Sequence, residues 1–225
     1  MRTLNKEQQA MISPRAALEI LQSGNERFVN NLKVNRNLLQ QVNETGEGQW
    51  PFAAIVSCMD SRTSAELIFD QGLGGIFSIR VAGNIINGDI LGSLEYAAKV
   101  AGCKLIVVLG HTKCGAIKGA CDHVQLGHLS TLLAKIEPAV QQEKDTVDNR
   151  TSDNPAFVEH VAENNVRKSV LEVIEGSDII KGLINEGKVG IIGAMYDVTT
   201  GLVKFYADTL IVNSPSGVEM AGELA

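Results

Sequence analysis

Five short apolar runs punctuate the chain between residues 51 and 208. They read PFAAIVS (51–57), IFSIRVAG (76–83), CKLIVVLG (103–110), VGIIGAMYD (189–197) and GLVKFYAD (201–208). Runs of this length without polar alternation suit strands buried on both faces. Helical spacing fills the gaps between the first four. Ser13-Pro14 supplies an N-cap and a first-turn proline, and Leu18, Leu21 and Phe28 follow on one face. Further helices are predicted over about Ser64–Gln71, over Asp89–Val100, from near Cys114, and onward through Val140. Another starts at Asn154-Pro155, with Val158, Val161, Ala162, Val166, Ser169, Val170 and Val173 inward. Strands alternating with helices imply right-handed crossovers and a parallel sheet. Val198-Thr199-Thr200 reads as a hairpin between the last two strands.

The expected fold is therefore α/β: a central, mainly parallel sheet flanked by helices, with an N-terminal helical arm and a C-terminal strand hairpin. A single domain spans 1–225, with the arm at 1–48, the α/β core at 49–212 and a tail at 213–225. The polar stretch from Asn30 to Gln49 lacks a period and reads as an excursion over the surface or onto a partner. QQEKDTVDNRTSDN (141–154) is a polar loop, and the tail is expected to be loosely ordered or docked on a partner.

Composition narrows the function classes. Hydrophobic residues make up 44% and charged residues 20%, which fits a globular chain and excludes wholesale disorder. The net charge of −6 gives no general attraction for nucleic acid or anionic membrane, and scarce aromatics disfavour base stacking. The longest aliphatic run, Leu105–Leu109, is far short of a span, and the N-terminus lacks an apolar signal-peptide core. These features lead to the expectation of a soluble cytoplasmic protein. In a reducing compartment the cysteines Cys58, Cys103, Cys114 and Cys121 read as metal ligands, reactive thiols or buried small residues rather than disulfides.

Two predicted strands end in soft-metal ligands: one in Cys58, the other in His111 with Cys114 close behind. Sites in open parallel sheets form beyond the carboxyl ends of the strands, so these three side chains could converge. Two thiolates and an imidazole suit Zn²⁺, and three protein ligands leave a tetrahedral position open, as in catalytic sites. Plain packing of two buried cysteines is the competing reading. Asp60 and Arg62 beside Cys58 weigh against it, although as structure alone they would be a weak surface ion pair.

Cys58-x-Asp60-x-Arg62 followed by His111-x-x-Cys114 resembles the β-class carbonic anhydrases. The 53 positions from Cys58 to His111 fit as well, and the similarity runs from the Pro14 helix through the last hairpin. The resemblance implies one Zn²⁺ per chain, held by Cys58, His111 and Cys114, with Asp60 and Arg62 as the active-site pair. It implies reversible hydration of carbon dioxide to bicarbonate and a proton by zinc-bound hydroxide. Gln49, Phe77, Ala82 and Tyr96 match positions lining the carbon dioxide pocket of the plant-type branch, which usually has Val in place of Ala82. It further implies a homodimer or a tetramer of dimers, with the pocket at a dimer interface and the N-terminal helix embracing the other subunit. Two thiolates and a neutral imidazole cancel the metal's charge. Bound water should then be less acidic than in three-histidine carbonic anhydrases, where it ionises near ~7.

Two rivals remain open on the sequence. The same residues could hydrolyse a related cumulene such as carbon disulfide, or the zinc could be structural in a non-catalytic assembly protein. Other motifs carry less. Gly110–Gly115 has Walker-A glycine spacing, but Ala116 stands where lysine is required. His123, His128 and His160 read as surface residues, and Cys103 and Cys121 as packing.

Overall fold

The computed structural model describes residues 3–214 and 217–220. The arm carries α1 (Lys6–Met11), α2 (Pro14–Val29) and α3 (Leu38–Thr45). Next come β1 (Ala53–Ser57), α4 (Ala65–Ile68), β2 (Ile76–Arg80), a 3₁₀ turn at Ala82–Asn84, and α5 (Gly88–Glu95), which runs on into a π-turn at Tyr96–Val100. Then follow β3 (Leu105–His111), α6 (Gly115–Cys121), α7 (Gly127–Leu133), α8 (Glu137–Gln142), α9 (Pro155–Gly176) and α10 (Asp178–Asn185). The chain closes with β4 (Gly190–Tyr196), β5 (Val203–Ser214) and β6 (Gly217–Met220).

Among the described residues the strands form one sheet in the order β2-β1-β3-β4-β5-β6. The first four are parallel; β5 and β6 add antiparallel. The runs of β1, β3 and β4 are buried on both faces, as their lack of alternation predicts, whereas β2 is buried only at Ile76 and ends on an exposed Arg80, and β5 alternates, with Lys204, Ala207 and Asp208 exposed. Along β1 and β3, Ala54, Val56, Ile106 and Val108 join the core under α9, whereas Ala53, Ile55, Leu105, Val107 and Leu109 join the core under α2 and α4. The caps work as read: Ser13 Oγ accepts from the Ala16 amide at 3.1 Å, and Asn154 Oδ1 from Phe157 at 3.3 Å.

Several boundaries differ from expectation. The polar stretch 30–49 contains α3, capped by Asn37, whose Oδ1 accepts from the Gln40 amide at 3.0 Å. The helix expected to reach Gln71 stops at Ile68, and Asp70 is left-handed (φ 45°). Its buried carboxylate takes Arg27 Nε at 2.6 Å and Arg36 Nη1 at 2.5 Å, tying the arm to this turn. The helical stretch through Val140 is broken after Cys121 by a left-handed His123 (φ 51°), giving α7 and α8. The α10 helix, capped by Ser177 through the Ile180 amide at 3.2 Å, went unpredicted. Within the supposed loose tail, β5 extends to Ser214 and β6 pairs with it; residues 215, 216 and 221–225 lie outside the described residues.

Candidate metal centre

Register places the first ligands together. Ser57 is level with Leu109, so Cys58 leaves β1 beside the end of β3, where His111 is the last residue. Lys113 then adopts φ 57°, and the resulting tight turn brings Cys114 back to the N-cap position of α6. The ligand atoms of Cys58, His111 and Cys114 all lie within 4.8 Å of one another, and all three residues are buried. The two Sγ atoms are 4.0 Å apart.

The donor set fits a soft divalent cation. His111 Nδ1 lies 2.9 Å from the Thr112 carbonyl oxygen, which assigns the ring proton to Nδ1 and leaves the Nε2 lone pair free. That buried Nε2 has no hydrogen-bond partner, an expensive arrangement unless a metal takes it. The hydrogen bond from Cys114 holds the Cys58 thiol low, while that bond and burial push Cys114 up. A divalent ion would let both ionise.

Asp60 stands at the mouth. Arg62 donates to it three times: Nε to Oδ1 at 2.9 Å, the backbone amide to Oδ1 at 3.0 Å, and Nη2 to Oδ2 at 2.7 Å. This grip holds the Asp60 carboxyl well below the usual carboxylate range. Its Oδ2 is 4.0 Å from His111 Nε2, so the fixed carboxylate faces the metal position.

Three supporting residues were not singled out from sequence. Thr63 Oγ1 lies 2.9 Å from the carbonyl oxygens of both Cys58 and Asp60. Arg80, at the end of β2, donates to the same two carbonyls, Nε to Cys58 O at 3.2 Å and Nη2 to Asp60 O at 2.5 Å. Together they brace the Cys58–Arg62 loop from both sides. Tyr196 ends β4 level with His111, and burial raises its phenol against the nearby Arg62 charge. Only the threonine after Arg62 could have been noticed locally. Arg80 and Tyr196 reach the site through strand register.

The residues matched to the carbon dioxide pocket divide. Ala82 sits on the 3₁₀ turn beside the metal position, where the Gly83 amide donates to Cys58 Sγ at 3.4 Å. Gln49, Phe77 and Tyr96 instead line a separate cavity of about 620 Å³ with Gln9, Trp50 and Val100. The Phe77 and Tyr96 rings meet edge to face at 6.3 Å. Within one chain the structure does not join these three to the metal ligands. Cys103 and Cys121 are packing residues; burial pushes their thiols up to about 12 and about 11. His123, His128 and His160 are exposed, as expected.

An α/β sheet that brings two cysteines and a histidine together beside an arginine-bound aspartate has the donor set of a metal-dependent enzyme. The carbonic anhydrase family profile matches residues 53–203. Carbonic anhydrase 2 of Mycobacterium tuberculosis H37Rv is 36% identical over 192 residues, covering 84% of this chain and 91% of its own. The carbonic anhydrase of Mycolicibacterium smegmatis is 32% identical over 199 residues, covering 85% and 93%. A tetrameric β-carbonic anhydrase of Sordaria macrospora superposes with a TM-score of 0.64 at 26% identity, covering 71% of this chain and 82% of its own. The β-carbonic anhydrase CcaA, at 24% identity, shares the fold with a TM-score of 0.67 over 91% of this chain and 93% of its own. This chain belongs to the β-carbonic anhydrase family.

Proposed function

We propose that the protein catalyses the reversible hydration of carbon dioxide to bicarbonate and a proton at a zinc ion held by Cys58, His111 and Cys114. The observation that carries this reading is the buried Cys-His-Cys trio facing the Arg62-bound carboxylate of Asp60. A zinc ion in that position supplies Lewis acidity that lowers the pKa of the water it carries.

The chain's own groups do the rest. His111, fixed through Nδ1 by the Thr112 carbonyl, presents Nε2 to the metal. Asp60 Oδ2 would accept a hydrogen bond from the hydroxide that such a metal makes available, the water's proton having passed to solvent, and so orient the oxygen lone pair toward carbon dioxide. Arg62 holds both carboxylate oxygens, so Asp60 stays ionised and does not turn onto the metal. Thr63 and Arg80 keep the loop carrying both residues in place.

The pocket is completed by a second copy. Gln49, Phe77 and Tyr96 of one chain close over the metal of the other, which makes the working unit a homodimer or a tetramer of dimers. The edge of β2, open among the described residues, the half-exposed Tyr96 and the exposed Val100 support this arrangement. The tetrameric Sordaria relative is consistent with it.

The test is stopped-flow carbon dioxide hydration on purified protein, with zinc measured per chain and carbon disulfide run in parallel. One zinc per chain, with hydration lost on chelation and restored by zinc, is expected. Zinc-replete oligomer that hydrolyses carbon disulfide but does not hydrate carbon dioxide would overturn the reading.

A further inference from the structure

The inward stripe of α9 is built of valines and alanine, yet it carries one fully buried amide. Val158, Val161, Ala162, Val166, Val170 and Val173 face the core, and Asn165 sits among them at 0% exposure. An apolar residue would bury there without loss, whereas a buried amide is tolerated only where it finds partners. Asn165 Nδ2 donates to the Gly83 carbonyl at 2.9 Å. One turn further along α9, Ser169 Oγ donates to the Asn84 carbonyl at 3.4 Å.

Those carbonyls belong to the 3₁₀ turn between β2 and α5. Gly83 and Asn84 are both left-handed, with φ of 67° and 42°. A Cβ on Gly83 would come within 2.6 Å of Ile136 Cδ1, so the turn is pressed closely against its surroundings. Two consecutive residues in this region need an external hold, since Asn84 has a Cβ and pays a steric penalty there. The hold matters because the Gly83 amide is the group that donates to Cys58 Sγ. A line of contacts therefore runs from the middle of α9, through one residue, to the sulfur.

We infer that Asn165 is a positioning residue for the metal centre: it fixes Gly83 so that the Gly83 N–H stays aimed at the Cys58 sulfur. The inference rests on Cys58 being a metal ligand, as proposed above. A hydrogen bond to a ligating thiolate draws electron density from sulfur and orients its lone pairs. Such outer partners typically change metal affinity by ~10–100-fold when removed. Ser169 supports the same turn but touches the carbonyl of the following residue, so its loss loosens the fold without freeing the Gly83 amide.

The experiment uses the full chain loaded with Co²⁺, whose thiolate-to-metal charge-transfer band reports on the sulfur, together with zinc affinity from chelator competition. Asn165→Ala should move the band to lower energy and weaken zinc ~10–100-fold while circular dichroism stays native. Asn165→Ser, too short to reach the Gly83 carbonyl, should do the same and serves if the alanine variant does not fold. Ser169→Ala should lower Tm but leave band and affinity unchanged, which separates positioning from general loosening. A folded Asn165 variant with the parent's band and zinc affinity overturns the inference. Cys58→Ser, which should lose part of the band's intensity, isolates the underlying assignment. Full intensity there would reject Cys58 as a ligand, and the role of Asn165 with it.

Discussion

Asp60→Asn changes one atom and tests the core of the mechanism. In the parent, Arg62 occupies Oδ1 twice and Oδ2 once, leaving Oδ2 capacity toward His111 Nε2 at 4.0 Å. An amide cannot reproduce this. Its single oxygen satisfies Arg62 Nε and the backbone amide, and its NH₂ then confronts Arg62 Nη2 donor to donor. The group facing the metal becomes a donor where an acceptor is needed. Losing one preorganised partner of the reacting group costs ~10²–10³ in kcat. Stability should barely change, because the Arg62 side chain is about half exposed at 48% and exposed pairs contribute little. Zinc should also be retained, since no ligand is touched. Because Arg62 depresses the Asp60 pKa, the carboxylate stays ionised throughout the ordinary carboxylate range. Its contribution is lost only as pH falls through that lowered value, so the parent shows no Asp60 limb near neutrality. Arg62→Ala removes the cause, raises the Asp60 pKa toward normal, and should move the acid loss of activity to higher pH. The assay is initial hydration rate across pH with zinc content in parallel. Parent rates in zinc-loaded Asp60→Asn at every pH would refute the reasoning.

Cys58→Ala, His111→Ala and Cys114→Ala should each lose tightly bound zinc by elemental analysis, whereas Cys121→Ala should keep it. Asp70→Asn leaves Arg27 and Arg36 facing a neutral amide; breaking a buried ion pair costs ~3–5 kcal/mol, and the partial exposure of Arg27 places the loss nearer ~3. Burial raises the Asp70 pKa, but the two arginines and the Val34 amide bring it below normal, so this stability is present above ~4 and lost as pH falls further. The gap between parent and variant in urea midpoint should therefore shrink in acid; a gap that is constant down to pH ~2 contradicts the assignment. Deleting residues 1–30 should weaken both assembly and activity, read by sedimentation and rate.

The convergence of Cys58, His111 and Cys114 was legible because it follows from local facts. Apolar runs mark β1 and β3, parallel strands end on one side of a sheet, and Cys58, His111 and Cys114 lie at those ends. The capped helices beginning at Pro14 and Pro155 were legible for a similar reason, since their signals are contiguous. What escaped depends on non-local partners. Arg80 and Tyr196 come to the site only through the pairing of β2 with β1 and of β4 with β3. The α3 helix has no inward stripe to detect, because Leu38, Leu39 and Val42 are exposed in the single chain. His123 broke a helical pattern by adopting a left-handed conformation, one that histidine enters more readily than most residues but that remains uncommon enough not to mark a helix end by itself.

The separation of the Gln49–Phe77–Tyr96 cavity from the Cys58-His111-Cys114 cluster is the deepest of these non-local features, and β2 explains it. Phe77 pairs with Ala54 and Arg80 with Ser57, so the pocket end and the metal end of this strand are ~10 Å apart. Phe77 and Ile79 pack on the same face of the sheet as Cys58 and Cys114. β2 has a strand neighbour on one side, β1, and its other edge is open among the described residues. A two-fold axis perpendicular to the sheet, placed at that edge, runs a second β2 antiparallel to the first and keeps both copies' faces on the same side. Such pairing would bring the Phe77 end of the second copy's β2 toward the Arg80 end of the first, with Phe77 on the face where Cys58 and Cys114 lie. A pocket shared in this way predicts complementation. Phe77→Ala should leave a metal without its wall, and Cys58→Ala a wall without its metal, so each should be slow alone. Mixed dimers purified through two tags contain one site that combines intact metal ligands with an intact wall, and should recover about half the parent rate. If both functions instead came from the same chain, no site in the mixed dimer would be whole. Mixed dimers as slow as the single variants would rule out the shared pocket.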